Sequence, residues 1–117
     1  MATNKESTRY FSDQHEKSVC KALGATQQSN SGAGLFRKGD CVVDSASLLV
    51  ECKCKEKEAK SVSISKEWLD KNYKEALDTR LDNHCLCFNY GPNTPNYYVI
   101  TEKLMKYLVE KLAEDNE

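Results

Sequence analysis

The spacing of apolar positions changes several times along the chain, and each change marks an element. Ser12 to Leu23 reads as a helix. Val19, Cys20 and Leu23 form an apolar stripe at helical spacing, Ser12 can cap it, Asp13 and Glu16 suit its positive end, and Gly24 closes it. The following "ATQQSNSGAGLF" is rich in Ser, Asn and Gly, which predicts a short strand near Ala25–Gln28 and then a mobile loop. In "KGDCVVDSASLLVECKCK", Lys38 to Lys55, two apolar runs flank a turn and predict a β-hairpin. "SVSIS" reads as an extended lead into a helix from Lys66 to about Thr79. Ser65 is its expected N-cap, with Trp68, Leu69, Tyr73, Ala76 and Leu77 on the buried side. "HCLCFNY" and "NYYVI" are strand-like runs separated by the turn signal "GPNTP". A last helix, Lys103 to about Ala113, is expected to turn Leu104, Tyr107, Leu108 and Leu112 inward, ahead of a frayed acidic tail. Helix, strand, hairpin, helix, strand, then a further strand and helix make an α/β protein with helices flanking a small mixed sheet.

Composition narrows this picture only a little. At 117 residues the chain is one domain with room for a single core. No apolar run approaches the length of a membrane span and "MATNKESTRY" has no apolar signal core, so the expected location is the cytoplasm. That compartment in turn predicts reduced thiols for the six cysteines. Cys52 and Cys54, like Cys85 and Cys87, are two apart and share a strand face, where they either pack as small hydrophobes or offer sulfur ligands to zinc. A net charge of −1 excludes a chain coated in basic residues, yet Arg37, Lys38, Lys53, Lys55, Lys57, Lys60 and Lys66 gather in its middle.

The hairpin holds the chemistry. Either a two-residue loop at Ser45–Ala46 or a four-residue loop at Asp44–Ser47 sets Val43 against Leu48, Val42 against Leu49, Cys41 against Val50 and Asp40 against Glu51. Directly opposed side chains stand about 5 Å apart, where like charges repel, so two facing carboxylates need a cation between them. Alternation puts Cys41, Val43, Leu48, Val50, Cys52 and Cys54 on an apolar face, and Asp40, Val42, Leu49, Glu51 and Lys53 on the other. Asp44 lies roughly 13 Å along the strand from Asp40, which leaves Asp40 as the partner of Glu51. Hard oxygen ligands suit Mg²⁺ or Mn²⁺ held with substrate phosphate, and a neighbouring lysine can orient water or offset charge on the phosphate. That chemistry fits phosphodiester hydrolysis.

"GD" at Gly39–Asp40 and "ECK" at Glu51–Lys53, within this order of elements, resemble the PD-(D/E)XK nuclease superfamily. The chain is most similar there to Holliday-junction resolvases of the archaeal type and of bacteriophages. The resemblance implies a restriction-endonuclease-like αβββαβ core over about residues 12–90, with an appended strand and helix over about 96–114. It implies an Mg²⁺-dependent endonuclease acting on branched DNA as a homodimer, in the host cytoplasm if phage-encoded. Asp40, Glu51 and the backbone carbonyl of Cys52 would be metal ligands, Lys53 the catalytic lysine, and Glu16 in "HEKSVCKALG" the helix glutamate that completes the site. Ser31 in "SNSGAG" matches a loop serine near the scissile strand, and Gln27 and Gln28 stand where the archaeal type has an arginine. Gly39 replaces the proline of the family name. Arg37, Lys38, Lys55 and Lys66 would contact DNA phosphates.

Each role has a plain rival. Glu16 suits any helix N-terminus, Ser31 any loop, and the lysines any solvated surface. His15 and His84 are set aside as packing or surface residues, and Trp68 and the tyrosines are read as packing. Two other functions stay open: a nuclease-like DNA-binding module without turnover, and a zinc-binding interaction protein built on the cysteine pairs.

Overall fold

The computed structural model describes residues 4–27, 40–55 and 57–117, and for 4–9, 11, 12, 27 and 40 the backbone alone. Its elements are α1 (Asn4–Leu23), β1 (Thr26–Gln27), β2 (Asp40–Val43), β3 (Leu48–Lys53), α2 (Lys66–Asp78), β4 (Asn83–Phe88), β5 (Tyr97–Ile100) and α3 (Glu102–Asp115). The five strands form one mixed sheet in the order β1-β2-β3-β4-β5. Every neighbouring pair is antiparallel except β3 and β4, whose parallel pairing follows from the α2 crossover between them. The α/β class and the element order are those the apolar pattern predicts.

Alternation along β2 and β3 divides the core between the two faces of the sheet. Val19 and Cys20 of α1 pack on Cys41, Val50, Cys85 and Cys87, while Ala76 of α2 packs on Val42 and Leu49. The hairpin turn is a short 3₁₀ segment, Asp44–Ala46, closed by Ser47 at φ 49°. Ser47 then ties the hairpin tip to β4: its hydroxyl accepts from the Asp82 amide at 2.9 Å and its carbonyl from the Asn83 amide at 2.8 Å. The turn therefore fixes both the register of β2 on β3 and the start of the strand beside them.

Four expectations change. Helix α1 begins at Asn4, so Ser12 is an interior residue rather than a cap, while Gly24 (φ 65°) does end the helix. On α2 the Ser65 hydroxyl accepts from the Glu67 amide, as expected of its N-cap, but the buried residues are Asn72 and Ala76. Leu69, Tyr73 and Leu77 are exposed, because α2 turns its Trp68–Asn72–Glu75–Thr79 line to the sheet. Helix α3 buries no residue: Tyr107, Leu108 and Leu112 are exposed and Leu104 is half-buried. It follows β5, the edge strand, where the sheet offers little further surface to cover. Finally, the thiols are not all reduced: Cys20 and Cys41, on α1 and β2, form a disulfide.

Candidate functional site

The β2–β3 register sets Asp40 opposite Glu51, Cys41 opposite Val50, Val42 opposite Leu49 and Val43 opposite Leu48, the pairing predicted from the hairpin sequence. Leu49, fully buried under α2, fixes the face on which its alternating neighbours Glu51 and Lys53 emerge. Glu51 is buried to 7% exposure. One carboxylate oxygen, Oε1, lies 3.4 Å from Lys53 Nζ, and Oε2 is buried without a hydrogen-bond partner among the described residues. Lys53 Nζ also sits 4.6 Å from the centre of the Trp68 ring, so an anion and an aromatic face hold the ammonium from two sides. Lys53, Lys55, Trp68, Val62, Cys52 and Cys54 line an open depression of about 400 Å³. The Asp40 backbone occupies the position across from Glu51, and its side chain lies outside the described residues.

The remaining expected site residues lie on other elements. Glu16 is buried on α1, with its backbone carbonyl 3.5 Å from Cys41 Sγ, one residue along β2 from Asp40. The Gln27 backbone pairs with Cys41 in β1, close to the same end of β2. Ser31, Arg37 and Lys38 lie outside the described residues. Lys55 is exposed beyond the end of β3, and Lys66, at the start of α2, makes a surface pair with Asp70 at 2.9 Å. Cys52, between Glu51 and Lys53, presents its side chain to the opposite, α1-covered face.

An aromatic row beside Lys53 was not legible as a unit in the sequence. Strand register puts Lys53 next to Phe88 and Phe88 next to Tyr97. Phe88 and Tyr97 stack with ring centres 5.8 Å apart, and Tyr90 meets each edge-on. Tyr97 is 49% exposed, so the row ends in open aromatic surface. His84, by contrast, is a structural tie between β4 and α2: its Nδ1 lies 2.8 Å from Asn72 Oδ1, and burial followed by the Lys103 charge lowers its pKa.

On the α1 face the structure assembles a second polar group around His15. Residues 15 and 16 precede Val19 and Cys20 by four, so extending the α1 stripe back one turn would have marked His15 and Glu16 as buried. His15 Nε2 lies 2.9 Å from Asn96 Oδ1 and 3.7 Å from Cys87 Sγ. Burial works against the charged imidazole, but hydrogen bonds with Cys54, Cys87 and Asn96 and the Cys87 charge carry His15 up to about 10. Cys87 moves the other way, down to about 5: the hydrogen bond from Cys52 leads, burial opposes it, and His15 and Tyr98 add to it. Cys85 is pushed up to about 12 by burial and then by the Cys87 charge.

Among the described residues no three His, Cys, Asp or Glu side chains are grouped so as to hold a metal ion. Nor, among them, is any helix long and apolar enough to cross a membrane. The chain matches no family model, no curated protein and no solved structure.

Proposed function

We propose that this chain is an Mg²⁺- or Mn²⁺-dependent endonuclease that hydrolyses DNA phosphodiester bonds at branched sites such as four-way junctions. One observation carries the reading: a buried glutamate with an unpartnered oxygen, beside a lysine, directly across the ladder from an aspartate position. A buried carboxylate oxygen without a donor is costly, and a divalent cation is the partner that relieves it. The residues present therefore fit a metal held by Glu51, Asp40 and the Cys52 carbonyl, the set that the likeness to PD-(D/E)XK nucleases implies. A cation bound there would lower the pKa of a bound water and offset charge on the phosphate.

The chain's own groups supply the rest. Lys53, steadied by Glu51 Oε1 and the Trp68 ring, offers a positioned N–H donor to the attacking water or to a phosphate oxygen. The likeness implies Glu16 as a further acidic residue of the site, although α1 packs on the face of the sheet opposite Glu51. Lys55 and Lys66, with Gln27, Ser31, Arg37 and Lys38, would hold the duplex by its phosphates and fix its register without reading sequence. The Phe88–Tyr97–Tyr90 row favours a substrate with an unstacked base, because an exposed aromatic surface beside the chemistry accepts any base face. That is what a branch point provides and plain duplex does not. Two symmetric cuts require a two-fold dimer, and the exposed apolar residues of α3 support a self-complementary interface there.

A labelled four-way junction incubated with protein and Mg²⁺ or Mn²⁺ tests the reading. The expected result is nicking that disappears with chelator and falls by at least about 10²-fold in Glu51→Gln and in Lys53→Ala, with unchanged circular dichroism. Undiminished cleavage by either variant removes the proposed chemistry, and binding without any nicking assigns the chain to the catalytically silent alternative.

A further inference from the structure

We propose that Cys52 and Cys87 are a peroxide-oxidisable dithiol whose disulfide restrains the strand that carries Glu51 and Lys53. The restraint, though not the dithiol, rests on the nuclease reading above. The two residues are direct partners in the parallel β3–β4 ladder and face the same α1-covered layer. Their side chains already share a hydrogen bond. Neighbouring strands lie about 4.8 Å apart, inside the Cα separation that a disulfide spans. Cys85 has no such partner, because its ladder neighbours are Val50 and Ile100. Cys20 and Cys41, in the same layer, are already joined.

Exposure orders the steps. Cys52 is half-buried, whereas Cys87 is fully buried. The Cys52 sulfur attacks one peroxide oxygen, the O–O bond breaks, and the departing hydroxide takes the thiol proton as water. The Cys87 thiolate then attacks the resulting sulfenic sulfur, the S–O bond breaks, and the departing hydroxide leaves as a second water with a proton from His15, whose Nε2 lies 3.7 Å from Cys87 Sγ. Two thiols are oxidised and one peroxide is reduced to two waters. Closing the bond draws opposed Cβ atoms from about 4.8 Å to about 3.8 Å, a shift of about 1 Å in β3. A displacement of that size at a catalytic strand slows reaction about 10²-fold.

The test treats the full chain with hydrogen peroxide, alkylates the remaining thiols after denaturation, and maps unreduced peptides by mass. The expected map joins the Cys52 peptide to the Cys87 peptide, two hydrogens lighter than the pair, with Cys54 and Cys85 alkylated. Cys52 joined to Cys54, or Cys87 to any other residue, or no new cross-link, overturns the dithiol. Junction cleavage measured on the same samples is expected to fall about 10²-fold in the wild type and to stay unchanged in Cys87→Ala, with Cys87→Ser as the second variant should the first not fold. A cross-link with unaltered cleavage overturns the restraint. No cleavage before oxidation overturns the nuclease reading and the restraint together, while the peptide map still decides the dithiol.

Discussion

Glu51 combines two properties that rarely coexist in a side chain kept for packing. It is buried, and one of its oxygens has no donor among the described residues. Leaving a buried acceptor unmatched costs about 1–3 kcal/mol, more where the group is charged. In metal-free protein, Glu51→Gln is therefore expected to raise the melting temperature measured in chelator, while Mg²⁺ or Mn²⁺ raises that of the wild type alone. A lower melting temperature for Glu51→Gln in chelator would mean that the carboxylate is satisfied within the fold. On the other face of the sheet, His15 and Cys87 give stability a defined pH dependence. Cys87, lowered to about 5, binds fewer protons folded than unfolded, so its contribution is complete above its ordinary value of 9.0 and is lost as pH falls through 5. His15, raised to about 10 from 6.5, contributes fully below 6.5 and loses that contribution as pH rises through 10. Between about 6.5 and 9 the two slopes oppose each other. The expected profile is a plateau there, with falling melting temperature on both sides, and His84, whose pKa is lowered, deepens the acid limb. Cys87→Ala should flatten the profile, as a melting series across pH would record.

Elements were legible where local pattern decides them and less so where tertiary context does. The hairpin register followed from alternation and loop length alone, since a slip of one residue would carry Leu49 and Val50 to the wrong faces. The start of α1 is not legible in the sequence, because "NKESTRYF" lacks an apolar stripe although its backbone is helical. Helical spacing predicts inward apolar positions on α2 and α3, yet Leu69, Tyr73, Leu77, Tyr107 and Leu112 are exposed. Helical spacing identifies a stripe but not what covers it. Leu104, Tyr107 and Leu108 of α3 border a cavity with Ala46, Leu48 and Asn83, and the proposed two-fold partner would cover the rest of the stripe. Leu108→Glu is accordingly expected to turn a dimer into a monomer in sedimentation velocity without lowering helix content. A wild-type chain that is monomeric at high concentration would remove that assignment.

Across the whole molecule, the class, the element order and the pairing of residues 40 and 51 could all be read from one sequence, because each depends on short-range periodicity. The groups that depend on long-range register could not. The Lys53–Phe88–Tyr97 row needs the β3–β4–β5 order, and the His15–Cys87 contact needs α1 seated on β4. The Cys20–Cys41 disulfide joins helix to strand across 21 residues, a pairing that six cysteines alone do not specify. The central claim is that Asp40 and Glu51, from neighbouring strands, hold one divalent cation beside Lys53. Titration of the intact protein with Mn²⁺, followed by calorimetry and by the electron-spin signal of the free ion, tests it most directly. One Mn²⁺ per chain, weakened at least about 10-fold by Asp40→Asn and again by Glu51→Gln, is the predicted result. Binding that neither substitution changes, or no binding at all, would contradict it.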